Sequence, residues 1–418
     1  MITWAALRSS AAPWLVLPAL VYAGLYVGAS TPNMTPEYGV SSGELAAYGL
    51  AVIAPAVAGA AAWDAGRHRL LGALRTVGAR GRARQFLRAA VPAATLHLVL
   101  VASMLVMARW GVGVWPSGAA GWLAVAHLLV LPAGWLVIGW FLGEVLPRSA
   151  AAPVAAIGCW SWLSLPHAVE PPWIRHLGGL ISSGSSIMDL RRPSAYLVPW
   201  AVTAGVALAL WLFVHARRRA WGAALGVLVL TVTLVTGRAL VHDWGFDRPT
   251  SPRNVALTCV GEAPRVCVPP EYGRHAERLR EDALVPLARL AAAGVTPPRE
   301  LRFTSGEDRL EPGTWPLYWG PPRIGSPPPA DPYEAEPAES SVVGTAALAG
   351  RTDCRAPTSL AAGWASLVIG KDERAVRPTM SDADWAVLQE VRRLPAEKQL
   401  GWFERGTASG ELCERAVG

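Results

Sequence analysis

Long apolar runs dominate the first 241 residues of the chain and stop abruptly after them. A helix needs about 20 mostly apolar residues to cross the hydrocarbon core of a bilayer, so each long run is a candidate membrane span. Seven stretches are predicted to be spans: 11–29, 45–63, 90–108, 120–143, 150–166, 197–215 and 221–241. The pattern therefore predicts an α-helical, polytopic membrane domain over residues 1–241.

Beyond residue 241 the apolar residues are sparse and are interrupted by proline and charge. A helical spacing of apolar positions nevertheless predicts one buried helix face, formed by Leu279, Ala283, Leu287 and Leu290. Glu300–Thr304 suits a strand, and Ser381 is a predicted N-cap. Further helices are predicted at 357–369, 382–394 and 395–404. Residues 242–418 are therefore predicted to form a small α+β domain.

The arginines predict how the spans are oriented, because cytoplasmic loops of membrane proteins are enriched in Lys and Arg. Twelve arginines fall on one side: Arg8, Arg67, Arg69, Arg75, Arg80, Arg82, Arg84, Arg88, Arg148, Arg217, Arg218 and Arg219. Four fall on the other: Arg109, Arg175, Arg191 and Arg192. The N-terminus is therefore predicted to be cytoplasmic, and seven spans place the C-terminal domain outside. A cleaved signal peptide in place of the first span would leave this orientation unchanged.

Charge is divided between the two halves, with a net +11 in residues 1–241 and −4 in residues 242–418, which gives the +7 of the whole chain. The basic half is the membrane half, so its charge indicates topology and contact with anionic lipid, and no nucleic-acid partner is expected. Arginine far outnumbers lysine, and Ala, Gly and Pro abound, which is typical of high-GC bacteria. The predicted location is a bacterial cell membrane.

Four of the five cysteines lie in the C-terminal domain, at Cys259, Cys267, Cys354 and Cys413. An even number suits two disulfides in an oxidising compartment, and four cysteines allow three pairings. We favour Cys259–Cys267, because the residues around them suggest two short strands about a turn, and Cys354–Cys413 would then form the second bridge. The alternatives are unpaired thiols or a metal site, although the spacing matches no zinc pattern.

Two stretches between the spans have two interpretations each. Asp64–Ala90 contains apolar residues at helical spacing among arginines, which predicts a basic amphipathic helix that either binds acidic lipid or docks a partner. His167–Trp200 either enters the membrane partway or lies along its surface. His97 and His127 lie inside spans and are expected to form hydrogen bonds between helices.

No catalytic, metal-binding or nucleotide-binding motif is recognisable, so the chain is not expected to be an enzyme or to hold a cofactor. In the C-terminal domain Trp315, Tyr318 and Trp319 either form a ligand platform or pack a proline-rich loop.

The order of features over residues 1–219 resembles the permease subunits of ATP-binding-cassette type-2 exporters. In that family an acidic residue and a basic, glycine-containing helix follow the second span, and short re-entrant helices lie between the fifth and sixth spans. The matching positions of the first feature are Asp64, Arg67, Arg69, Gly72 and Arg75; the second matches His167–Trp200. The resemblance implies a separate cytoplasmic ATPase that contacts the basic helix. The seventh span and the C-terminal domain are additions to the six-span family core.

Two functions follow as hypotheses. The first is a permease subunit that works as a homo- or heterodimer with a separate ATPase. The second is a non-transporting receptor or scaffold whose C-terminal domain binds a ligand or an envelope protein.

Overall fold

A computed structural model describes residues 10–31, 34–70, 82–181, 184–215, 219–246, 248–305, 311, 313–317 and 359–408. The chain divides into two compact units. The helical unit comprises residues up to 185 together with 190–251, and the C-terminal unit comprises 186–189 together with 252–418. Residues 242–251 therefore belong to the helical unit.

The helical unit consists mainly of apolar helices. In chain order they are α1 (Ala12–Ser30), α2 (Gly39–Tyr48), α3 (Leu50–Leu70), α4 (Arg82–Ala89), α5 (Val91–Val112), α6 (Gly118–Val145), α7 (Arg148–Ser164), the short α8 (Arg175–Gly178), α9 (Ser194–His215) and α10 (Arg219–Val241). Two three-residue strands, β1 (Asp189–Arg191) and β2 (Thr250–Pro252), form a separate pair. Between α7 and α9 the described residues form only short helical turns and β1.

Five of these helices are long and apolar enough to cross a membrane: α1, α5, α6, α9 and α10. A sixth span results if α2 and α3, which meet at an angle of 41°, count as one. The predicted second span at 45–63 therefore lies in a broken helix that begins earlier, at Gly39. The break falls at Gly49, where a Cβ would lie 2.6 Å from the sulfur of Met104. The predicted fifth span corresponds to α7, which has 17 residues.

Large apolar side chains are exposed along the length of the first and last of these helices. On α10 they are Trp221, Leu225, Val227, Leu228, Val232, Val235 and Leu240. A surface of this kind is unfavourable in water, and it suits contact with lipid or with other membrane helices. The exposed faces are consistent with a multi-pass membrane protein.

Glycines bring the broken helix formed by α2 and α3 into backbone contact with α6. A Cβ at Gly43 of α2 would lie 2.2 Å from the Gly121 carbonyl oxygen. Towards the other end of α6, a Cβ at Gly139 would lie 2.2 Å from the Ala58 carbonyl oxygen, and one at Gly143 would lie 2.3 Å from the Ala62 carbonyl oxygen. Small residues are what close helix packing in lipid requires, because no water drives the helices together.

The C-terminal unit combines a four-stranded sheet with helices, as predicted. The sheet order is β3 (Thr258–Val260), β4 (Arg265–Val268), β5 (Glu300–Arg302) and β6 (Thr314–Pro316). The first pair is antiparallel and the other two pairs are parallel. The helices are α11 (Ala276–Ala292), α12 (Ser359–Val368), α13 (Glu373–Val376), α14 (Asp382–Arg392) and α15 (Ala396–Ala408).

Local patterns in this unit form as the sequence predicts. Cys259 and Cys267 are opposite each other in the β3–β4 hairpin and are joined as a disulfide. The side chain of Ser381 accepts a hydrogen bond from the Asp384 N–H at 3.1 Å, which caps α14. The predicted face of α11 is buried throughout: Leu279, Ala283, Leu287 and Leu290.

Adding one methyl group at Gly139 should destabilise the helical unit, whereas adding one at Gly158 should not. The first would collide with the Ala58 backbone, and we expect Gly139→Ala to cost about 1–3 kcal/mol, measured as a lower melting temperature in detergent. A Cβ at Gly158 would have nothing within 4 Å. Gly158→Ala should therefore be neutral or slightly stabilising, because alanine is the better helix former. Equal melting temperatures for the two variants would contradict the packing described.

Candidate functional site

A buried ion pair lies at one end of the helical unit. Glu44 of α2 is fully buried, and its carboxylate accepts a hydrogen bond of 2.7 Å from Nε of Arg191, which is 6% exposed. Ser185 adds its backbone N–H at 2.7 Å and its hydroxyl. A buried charge is tolerated only when it is paired and hydrogen-bonded, and Glu44 has both kinds of partner. We call Glu44, Ser185 and Arg191 the Glu44 cluster.

Arg248 contributes a second buried guanidinium near this cluster. Its two terminal nitrogens donate to the carbonyl oxygens of Leu180 at 2.8 Å and Ala195 at 3.1 Å. Burial, and then the neighbouring Arg191, lower the pKa of Arg248 to about 9, so the group is still charged at neutral pH. Glu44 interacts electrostatically with Arg248 as well as with Arg191, so both guanidinium groups lie near the same carboxylate.

The Ala195 carbonyl needs an outside donor because of the local sequence. In a helix this oxygen would accept from the N–H four residues later, but that residue is Pro199, which has no N–H. Arg248 supplies the missing donor from a distant part of the chain. Ala195 is buried, so water could not replace the lost bond and a freed carbonyl would be costly.

A carbonyl freed by proline also finds a side-chain donor at Pro132 in α6. This proline frees the Leu128 carbonyl, and Nε2 of His97 on α5 lies 3.1 Å from that oxygen. Since a carbonyl can only accept, Nε2 is the protonated ring nitrogen. The expectation that His97 forms a hydrogen bond between helices is confirmed.

His127 is also a hydrogen-bonding residue between elements. Its Nε2 donates to the Gly179 carbonyl at 2.8 Å, and its Nδ1 accepts from the indole N–H of Trp200 at 2.8 Å. One donor and one acceptor together fit the neutral imidazole. Gly179 has a φ of 87°, and a Cβ there would lie 2.9 Å from both Leu131 and Pro199, so glycine suits this close approach.

A second polar cluster surrounds Asp64. This side chain is 1% exposed and accepts a 2.7 Å hydrogen bond from the Ser10 hydroxyl. It also interacts electrostatically with Arg67 and Arg148. The guanidinium of Arg148, at the start of α7, stacks 3.8 Å above the ring of Trp63. We call Ser10, Asp64, Arg67 and Arg148 the Asp64 cluster; it joins the N-terminal segment, α3 and α7.

The two clusters lie at opposite ends of the broken helix. Glu44 and Asp64 are 20 residues apart, which corresponds to about 30 Å along helix axes. That length is close to the thickness of a hydrocarbon core, about 30 Å. If the broken helix crosses a membrane, this spacing would put one cluster near each boundary of the apolar layer.

Three residues of the predicted basic segment, Asp64, Arg67 and Arg69, lie in the last turns of α3, which continues to Leu70. Other predicted site residues lie outside the described residues: Gly72, Arg75, Cys354, Cys413, Tyr318 and Trp319. Trp315 is 7% exposed in β6, which favours packing over a ligand platform.

Nothing in the sequence singles out Glu44 or Arg248, and Arg191 resembles an ordinary loop charge. One sequence feature indicates where partners are needed: a proline inside an apolar helix frees the carbonyl four residues earlier. Pro132 and Pro199 both do so, and both carbonyls have basic partners. Within the described ranges no group of three or more His, Cys, Asp or Glu residues is placed to hold a metal ion.

Comparison with known proteins bears on the C-terminal unit. Residues 266–413 match a family described as a domain of unknown function, DUF7224. No curated protein and no solved structure matches the chain. The match begins within β4, so it concerns the module that carries the mixed sheet and the C-terminal helices, and it assigns that module no activity.

Replacing Pro132 by alanine should rescue the loss of His97. His97→Leu leaves the Leu128 carbonyl without its donor, and we expect a cost of about 1–3 kcal/mol, measured as a lower melting temperature. In a Pro132→Ala background the new N–H reaches that carbonyl, so His97→Leu should cost clearly less. The four proteins of the cycle separate this effect from lost packing at residue 97. Strictly additive changes would show that the histidine does not replace the missing helix bond.

Proposed function

We propose that this chain is the membrane-spanning permease subunit of an ATP-binding-cassette type-2 export system. In this proposal two permease subunits form the membrane unit, and a separate cytoplasmic ATPase supplies the energy. The Asp64 end faces the cytoplasm, the helical unit crosses the membrane seven times with α7 as its fifth span, and the C-terminal unit lies outside.

The observation that carries the proposal is the buried Asp64 cluster, which fixes the end of α3 immediately before the basic segment. At the far end of that segment, Phe86 of α4 packs edge-to-face against Trp140 of α6, with 5.2 Å between ring centroids. Residues at both ends are thus in contact with other parts of the helical unit. A segment held in this way can pass the force of a docked ATPase to the spans, which lipid binding alone would not require.

Two features support placing the C-terminal unit outside the cytoplasm. The Cys259–Cys267 disulfide suits an oxidising compartment. The arginine distribution puts the loops after the second, fourth and sixth spans inside, and seven spans then lead outward. These are independent kinds of evidence, one from redox chemistry and one from charge.

The alternative is a membrane receptor or scaffold. The observation that favours it is the C-terminal unit itself, which has its own buried core, its own sheet and its own family match. An exporter subunit has no evident need for such a module, whereas a receptor does. Co-purification of a cytoplasmic ATPase distinguishes the two.

Reporter fusions should define the topology. Fusions after Arg80 and after Arg219 should report a cytoplasmic location, because both follow arginine-rich stretches, and fusions after Asn254 should report an external one. The measurement is the activity of a paired reporter set, alkaline phosphatase outside and a fluorescent protein inside. A cytoplasmic result at Asn254 would exclude the seven-span arrangement.

Substitutions in the basic segment should weaken ATPase binding without affecting membrane insertion. Arginine can donate two parallel hydrogen bonds to a carboxylate of a docked partner, and lysine cannot replace this geometry. Attraction to acidic lipid depends on charge alone, so it should not change when arginine is replaced by lysine. We expect Arg75→Lys, and Gly72→Leu through steric block, each to lower co-purification of a cytoplasmic ATPase several-fold.

Arg109→Lys is the matched control, since Arg109 falls on the other side in the proposed topology and should bind the ATPase normally. If Arg75→Lys and Gly72→Leu behave as wild type, or if no ATPase co-purifies with any variant, the receptor alternative becomes the better account.

A further inference from the structure

The residues that follow α10, the last helix of the helical unit, form hydrogen bonds and ring contacts with the stretch between α7 and α9. We call residues 242–246 and 248–251 the strap, and residues 165–181, 184–185 and 190–192 the cap segment. His176 donates from Nε2 to the Gly245 carbonyl at 2.8 Å and packs against Trp244, with 5.1 Å between rings. The Arg175 guanidinium lies 4.7 Å from the ring centre of Phe246. Contacts therefore begin within a few residues of the end of α10.

The strap is fastened at its other end as well. Arg192 donates its backbone N–H to the Pro249 carbonyl at 2.9 Å and its Nε to the Thr250 carbonyl at 2.8 Å. Between these points Arg248 reaches the Leu180 carbonyl and the α9 carbonyl freed by Pro199. Side chains from both strap and cap segment take part, so neither can move far alone.

The cap segment is in turn hydrogen-bonded to α2. Ser185 and Arg191, both in the cap segment, provide the partners of Glu44. All ten residues of α2 are buried. The Glu44 cluster is therefore the point at which the strapped cap segment is bonded to a helix in the interior of the bundle.

The face of α2 that carries Glu44 is polar. Ser41 and Tyr48 stand three residues before and four residues after it, which places all three on one helix face. The hydroxyls of Ser41 and Tyr48 are buried and have no hydrogen-bond partner in the part of the chain that the structure describes. Buried hydroxyls of this kind cost free energy, and exposure to water would satisfy them.

We propose that the strap is a latch that holds the cap segment closed over the polar face of α2. When the strap is released, the cap segment lifts and this face becomes accessible to water and to polar solutes. Because the strap continues directly into the C-terminal unit, an event in that unit can reach the latch through the chain. The proposal does not depend on transport, since a receptor could use the same latch.

Thiol accessibility tests the latch in the full chain. Ser41→Cys places a thiol on the polar face, and it sacrifices no hydrogen bond within the described residues. The protein, with Cys159→Ala, is reconstituted in nanodiscs and labelled with a charged, membrane-impermeant maleimide, and the label at residue 41 is followed by mass spectrometry. With the strap intact labelling should be slow. Adding Arg248→Met should make it at least roughly ten-fold faster, which is about 1.4 kcal/mol in an opening equilibrium.

Two controls separate latch release from general loosening. Arg278→Met removes a partly exposed ion pair with Asp282 inside α11 and should leave the labelling rate unchanged. Gly139→Ala loosens helix packing while leaving the strap intact, so it should lower the melting temperature without a comparable acceleration. If Arg248→Met does not fold, Arg192→Met removes the exposed contact with Thr250 and should give a smaller acceleration.

Fast labelling with the strap intact would overturn the proposal, because the face would then be open. It would equally be overturned if the folded strap variants label as slowly as the parent, or if Gly139→Ala accelerates labelling as much as they do.

Discussion

A backbone carbonyl in the apolar interior of a membrane protein must find a donor within the protein, and this constraint shapes the helical unit. Prolines inside α6 and α9 each leave such a carbonyl free. His97 of α5 donates a hydrogen bond to the carbonyl freed in α6. Arg248, which follows α10, donates to the carbonyl freed in α9. Each proline thereby fixes the position of a residue far away in sequence. The bundle is held not only by small-residue packing but by these long-range replacements for missing helix bonds.

The charged groups obey the same constraint in a more demanding form. Glu44 and Asp64 are both almost completely buried, and each is held by residues from other parts of the chain: Glu44 by an ion pair with Arg191, and Asp64 by the Ser10 hydroxyl and the electrostatic attraction of Arg67 and Arg148. Removing one partner of the Glu44–Arg191 pair would leave an uncompensated buried charge, which typically costs about 3–5 kcal/mol. The Glu44 end of the broken helix is therefore held by a contact that is costly to break.

The sequence predicts features that depend on neighbours in the chain and misses those that depend on distant partners. The apolar runs, the buried face of α11 around Ala283, the Cys259–Cys267 hairpin and the Ser381 cap all follow from local spacing, and they form. The close approach of Gly49 to Met104 brings together residues of two different helices, and the ion pair of Glu44 depends on a residue 147 positions away. No local pattern distinguishes Arg191 or Arg248 from ordinary loop charges that help to orient spans.

The glycine contacts of α6 have a mechanical consequence. Gly121 meets α2 and Gly143 meets α3, and these points are about 33 Å apart along α6. Both sides of the bend are thus braced against one continuous helix, so the angle at Gly49 cannot open or close without separating backbones in contact. We therefore expect the broken helix and α6 to tilt together. A displacement at the Glu44 end would then be passed to the Asp64 end through backbone contacts, without any relay of side chains.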